Sequence, residues 1–155
     1  AYKHHLMGSI EMRVKQQLAG SGLVPATGLD IPAIIQHAHP HLVPEHLGEA
    51  ILTIGSALNE VASHACGVIS IGPFGCMPNR IAESILSEVM TTADKLETGR
   101  DQRHLRAALD GVSTLPFLSI ESDGSPFPQI ITAKLEAFCL QARQLHDRLH
   151  PPTAN

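Results

Sequence analysis

The sequence predicts an α/β domain, a mostly parallel sheet flanked by helices, and three observations carry that expectation. Val68-Ile69-Ser70-Ile71 is a β-branched run bounded by glycines; a turn through Gly72, Pro73 and Gly75 follows it, then apolar residues at helical spacing. Residues 115–120 open a second unit of the same kind, and successive strand–turn–helix units imply parallel strands joined by a right-handed crossover. The composition agrees. Hydrophobic residues make up 43% of the chain but aromatic ones only 3%, with no Trp, so the core is built from Leu, Ile, Val and Ala, as in helix-covered parallel sheets.

The chain has 155 residues, enough for one domain of ordinary size. Its organisation reads as an N-terminal helix and loop segment over 1–43, whose packing on the main domain is left open, an α/β domain over 44–150 and a tail over 151–155. Net charge is −4 with scattered basic residues, so neither nucleic acid nor an anionic membrane is an expected partner. No stretch approaches the roughly 20 apolar residues of a membrane span, and the N-terminus lacks a signal-peptide core. A soluble, cytoplasmic protein is expected. Cys66, Cys76 and Cys139 form neither a disulfide framework nor a complete zinc motif, which reads as reduced thiols. The first residue is Ala1 and not Met, which reads as a piece of something longer.

In chain order, Ile10, Val14 and Leu18 predict an amphipathic helix over 10–18, stopped by Gly20 and Gly22. Asp30 and Pro32 suit the start of a short helix holding Ile34 and Ile35. His37, His39, His41 and His46 follow closely. Imidazoles so spaced can bind zinc or nickel, but Pro40 and Pro44 prevent the helix that would align them, and a solvated loop is the favoured reading. From Pro44 a helix reaches His64, with Leu47, Ala50, Ile51, Ile54, Leu58 and Val61 on one stripe. Gly48 and Gly55 on a neighbouring face would allow close approach of another element.

The strand at 68–71 reads as buried on both faces. A helix over 79–90 follows, with Pro78 in its first turn. Residues 91–110 are rich in charge and read as a solvated loop plus a short exposed helix over 101–109. The functional alternative there is an Arg100, Arg103 and Arg106 patch for a phosphate or an acidic partner. The second strand has Pro116 near its start, where a missing donor is tolerated. Ser122, Asp123, Gly124 and Ser125 make the next turn, and the last helix, over 127–149, carries Phe127, Ile130, Ile131, Leu135, Phe138, Ala142 and Leu145 on one face.

The chemistry is expected where the two turns meet. Open α/β sheets bind ligands at the carboxyl ends of their strands, and a helix N-terminus collects partial positive charge. Cys76 lies in such a turn, which lowers a thiol pKa and leaves the group accessible. Cys76 and Asp123 should therefore face one crevice, with Gly72, Gly75, Asn79, Arg80 and Gly124 as further ligand-binding candidates. The plainer alternatives are an Asx turn for Asp123-Gly124 and a surface ion pair of Arg80 with Glu83. Cys66 and Cys139 read as small buried hydrophobes.

Gly72-Pro-Phe-Gly-Cys-Met-Pro-Asn-Arg80, with Phe117-Leu-Ser-Ile-Glu-Ser-Asp-Gly124 and Lys134-Leu-Glu-Ala-Phe138, resembles the C-terminal region of the 2-hydroxyacyl-CoA dehydratase and benzoyl-CoA reductase superfamily. Within it, the closer resemblance, over about residues 44–146, is to the CoA-substrate-specific enzyme activase-related proteins. It implies a three-layer α/β fold, Rossmann-like or flavodoxin-like, and an iron-sulphur protein of reductive CoA-ester chemistry. The position matching the family's strand-end cluster ligand is Cys76, so a 4Fe-4S cluster is implied for the longer protein. The chain departs from the pattern by offering no second cysteine in a comparable loop and no glycine-rich phosphate loop. The remaining ligands and an ATP-binding activator region would lie outside these residues.

The resulting expectation is a domain that supplies Cys76 to a cluster and is not catalytic alone. Its implied partners are the rest of the parent chain with the activator region, a CoA-ester dehydratase and a second copy in a homodimer. The alternative is a binding or assembly module using the strand-end crevice for a small anion or a partner subunit. A third reading is a complete enzyme that depends on the Cys76 thiol.

Overall fold

The computed structural model describes residues 2–22, 28–43, 48–98, 102–124 and 129–151. The chain forms two compact units, residues 1–31 and 32–155. In the first, helix α1 spans Tyr2–Ala19, longer than the apolar spacing predicts, and Ile10, Val14 and Leu18 are all exposed. Glu11 braces the unit internally. Its Oε1 accepts from the Leu29 N–H at 2.9 Å and lies 3.1 Å from Lys15 Nζ, and the Leu29 amide, then Lys15, holds the Glu11 carboxyl below its ordinary range.

The second unit runs α2 (Ile31–Ala38), α3 (Ala50–Glu60), β1 (Val68–Pro73), α4 (Met77–Val89), α5 (Thr92–Thr98), α6 (Gln102–Ala108), β2 (Phe117–Ser122) and α7 (Gln129–Leu149). β1 and β2 pair in parallel from Val68↔Phe117 to Pro73↔Ser122, as two strand–turn–helix units require. Among the described residues they make an open two-stranded sheet flanked by helices. The core lies mainly among the helices, around Ile54, Leu58, Val61, Leu86 and Leu109.

Local chemistry accounts for most element ends. Gly75 adopts φ +75°, a left-handed turn that glycine enters without steric cost. Cys76 follows in extended conformation as the N-cap of α4, with Pro78 in the first turn. Pro116 precedes β2 and contributes only its carbonyl, which accepts from the Val68 N–H at 3.0 Å.

Five expectations are corrected. β1 is not buried on both faces: Ser70 is buried, but Ile71 is 65% exposed, because the sheet stops at two strands and no described element covers that side of β1. The described residues of 91–110 are not a solvated segment; α5, α6 and the residue after α6 bury Lys95, Leu105, Ala108 and Leu109. Gly48 precedes α3 with φ +123°, so it serves a turn and not a helix contact, and residues 44–47 lie outside the described ones. Cys139 is exposed, one position off the inward stripe of α7. That stripe is otherwise as predicted through Ile131, Leu135, Phe138, Ala142 and Leu145, while Ile130 points to solvent and Phe127 lies outside the described residues. No helix among the described residues is long and apolar enough to cross a membrane.

Candidate functional site

Parallel pairing brings the two strand-end turns to one edge. Where the strands end, the Phe74 N–H donates to the Ser122 carbonyl at 3.1 Å. On the β1 side the turn closes tightly: the Cys76 N–H donates to the Pro73 carbonyl at 3.1 Å, and the Arg80 N–H to the Cys76 carbonyl at 3.0 Å. The Cys76 side chain is half-buried.

Asn79 is the centre of the arrangement. It is only 9% exposed; its Oδ1 accepts from the Ser70 hydroxyl at 2.8 Å, and its Nδ2 is buried with no partner among the described residues. Gly72 lies against it, where a Cβ would stand 2.6 Å from Asn79 Cγ. Only glycine permits this approach. Gly72→Ala is expected to push Asn79 off Ser70 and to lower stability by roughly 1–3 kcal/mol, measured by urea unfolding; an unchanged midpoint would show that Asn79 moves freely.

Cys76, Pro78 and Asn79 close one end of an open groove of about 570 Å³ that runs between β1 and α3. The other predicted residues divide. Arg80 is held by two carboxylates, with Nε 2.8 Å from Glu121 Oε1 and Nη1 3.0 Å from Glu83 Oε2, so the expected Glu83 pair is present and gains a partner on β2. Gly124, with φ +87°, donates its N–H to the Ser122 hydroxyl at 3.1 Å. The turn is therefore held by serine, and Asp123 and Gly124 are exposed and outside the groove lining.

The thiols do not converge. Cys66 precedes β1 and Cys76 follows it, so the strand separates them by about 20 Å, and Cys139 is exposed on α7. Burial pushes the Cys66 thiol up, which disfavours the thiolate a metal needs. Among the described residues no group of three His, Cys, Asp or Glu side chains could hold a metal ion; His46 lies outside them. Of the four ligands an iron-sulphur cluster takes, the described residues place Cys76 alone at the strand-end turn.

The residue that sequence reasoning missed is Lys95. It is 2% exposed, and its Nζ donates to the carbonyls of Leu58 at 2.8 Å and Asn59 at 3.0 Å, the last turn of α3, where a cation also meets the negative end of the helix. Burial lowers its pKa to about 8, against the attraction of Glu60. The start of α5 was readable from Thr91 as its N-cap: the Asp94 N–H donates to Thr91 Oγ1 at 3.1 Å, and the Thr91 hydroxyl donates to the Asp94 carboxylate. Of the predicted arginine patch, Arg103 and Arg106 are exposed on α6, and Arg100 lies outside the described residues.

No family of known proteins, no curated protein and no solved structure matches this chain.

Proposed function

We propose that the chain is a binding module that holds a small anion, of the phosphate or carboxylate class, at the turn between β1 and α4, and that it has no catalysis of its own. Asn79 carries this reading, as a buried side chain at the groove end with an unused Nδ2 donor. Beside it, the Met77 and Asn79 amides open α4 with no backbone partner among the described residues, and Pro78 has no N–H to offer. We extend the fold to a reduced three-layer, Rossmann-like arrangement. In support, Leu118 and Ile120 are buried on the sheet face opposite Ser70 and outside the main core, and α7 packs on β2.

Titration with inorganic phosphate, followed by amide NMR, tests it. The Met77 and Asn79 amides and the Asn79 side-chain NH2 are expected to shift saturably, and Asn79→Asp, which places a carboxylate there, is expected to abolish the response. Shifts that sodium chloride reproduces at equal ionic strength would overturn the reading.

A second reading is favoured by the position of Cys76, half-buried at the carboxyl end of β1 at the N-cap of α4. It is the resemblance-based one: a dehydratase-like or activase-related protein whose other cluster ligands and ATP-binding region lie outside these residues. The longer protein, isolated without oxygen, is then expected to contain iron and sulphide, and Cys76→Ser to lower both by at least half. Equal iron content in that variant excludes ligation by Cys76.

A further inference from the structure

Among the described residues, β1 is hydrogen-bonded along one edge only. Its bonds from Val68 to Pro116 and from Phe74 to Ser122, with the period of two along a parallel ladder, mean that residues 68, 70, 72 and 74 address β2. The N–H and C=O groups of Ile69 and Ile71 therefore point away from it, and no described residue pairs with them. Such an edge is a template for another strand.

The space beside that edge has the dimensions of one strand. α3 packs along α4, and α4 lies against both strands, so α3 forms the floor next to β1. The side chains it turns into the groove are Thr53, Ser56 and Ala57 in the middle, all small, with Glu49 and Glu60 at the ends. Glu49 precedes the first residue of α3 and Glu60 is its last, which sets them about 16 Å apart along the axis, the length of about five residues of extended chain. No basic residue is among the described lining, and Ile69 and Ile71 add an exposed apolar surface.

The geometry points to an extended peptide added as a third strand beside β1, with apolar side chains at alternate positions and Lys or Arg at both ends of a stretch of about five to seven residues. Ile69 and Ile71 offer it two donors and two acceptors. Pro73 ends the pairing, since it has no N–H and its carbonyl already accepts from Cys76. Side chains on one face cover Ile69 and Ile71, those on the other rest on Thr53, Ser56 and Ala57, and the basic ends meet Glu49 and Glu60, the latter in exchange for its exposed 3.3 Å contact with His64 Nδ1 and while still accepting from the Asn59 side chain at 2.8 Å. A second copy fits worse: paired edge to edge, it would bring its own α3 into the same layer and its own glutamates against these. The proposal uses the strand edge and not the turn, so it stands apart from the anion reading.

The probe is acetyl-Lys-Val-Thr-Val-Thr-Val-Lys-amide, labelled for fluorescence anisotropy and used unlabelled in amide hydrogen exchange. Saturable binding is expected, with exchange at Ile69 and Ile71 slowed at least tenfold at saturation. The Glu49→Gln/Glu60→Gln protein, and a peptide with Glu in place of both lysines, are each expected to bind at least tenfold more weakly. Absence of saturable binding, binding that leaves those two amides unprotected, or equal affinity of the double variant would overturn the proposal. Protection that rises with protein concentration without peptide, alongside a dimer in sedimentation, would overturn it in favour of a second copy.

Discussion

Gly55→Ala is expected to destabilise the protein by about 3 kcal/mol, a large fraction of a typical domain's stability. Gly55 lies in α3, and a Cβ there would stand 2.0 Å from the Ile34 carbonyl oxygen and 2.8 Å from its carbon. Both are backbone atoms, so no rotamer change relieves the clash and α2 must back away from α3. The core at Ala38, Leu42, Ile51 and Ile54 then opens. Alanine improves helix propensity by about 1 kcal/mol, which the lost packing outweighs. Urea unfolding followed by circular dichroism reads the difference; a midpoint at or above that of the unsubstituted protein would mean that α2 does not rest on α3 as described.

Lys95→Ala is expected to cost about 2–4 kcal/mol near neutral pH, because it removes the packed stem and leaves the Leu58 and Asn59 carbonyls without their donor. Its pH dependence separates charge from packing. The folded pKa, about 8, lies below the ordinary 10.5, so between those values the unfolded chain keeps a proton that the folded one has released. Stability contributed by this group therefore rises as pH climbs from about 8 to about 10.5, by on the order of 3 kcal/mol, and is level below that window. Lys95→Met keeps most of the volume and removes the titration. Unfolding free energies from pH 7 to 10.5 should climb in the unsubstituted protein relative to the variant; parallel curves would show that the ammonium is not held as described.

What was legible in the sequence was local. Glycines, Pro78 and a β-branched run mark β1, its turn and the start of α4 within a few residues of one another, and the same grammar marks β2 and α7. The parallel pairing followed from their order. What was hidden depends on partners distant in sequence. Lys95 is buried because the end of α3 presents carbonyls to it, and nothing within its own helix reveals that. The exposure of Ile69 and Ile71 follows from how many strands the sheet has, which a β-branched run does not encode. At the site, the turn that carries Cys76 was legible from its own glycines and Pro78, whereas the burial of Asn79 against Gly72 and Ser70 was not. Arg80 met Glu121 only through the register of two strands, and Asp123 fell outside the groove because the free edge of β1, not the β1–β2 junction, forms its wall.

The ladder between β1 and β2 joins segments that three helices, α4, α5 and α6, separate along the chain. Neither strand can acquire its partner until that long intervening length has closed into a loop, an entropic toll met before any pairing rewards it. The contact of α3 with α4 spans far less chain. Refolding is therefore expected to show helical signal ahead of protection at the Val68 amide, and substitutions in the ladder should chiefly accelerate unfolding, leaving the forward rate nearly unaltered.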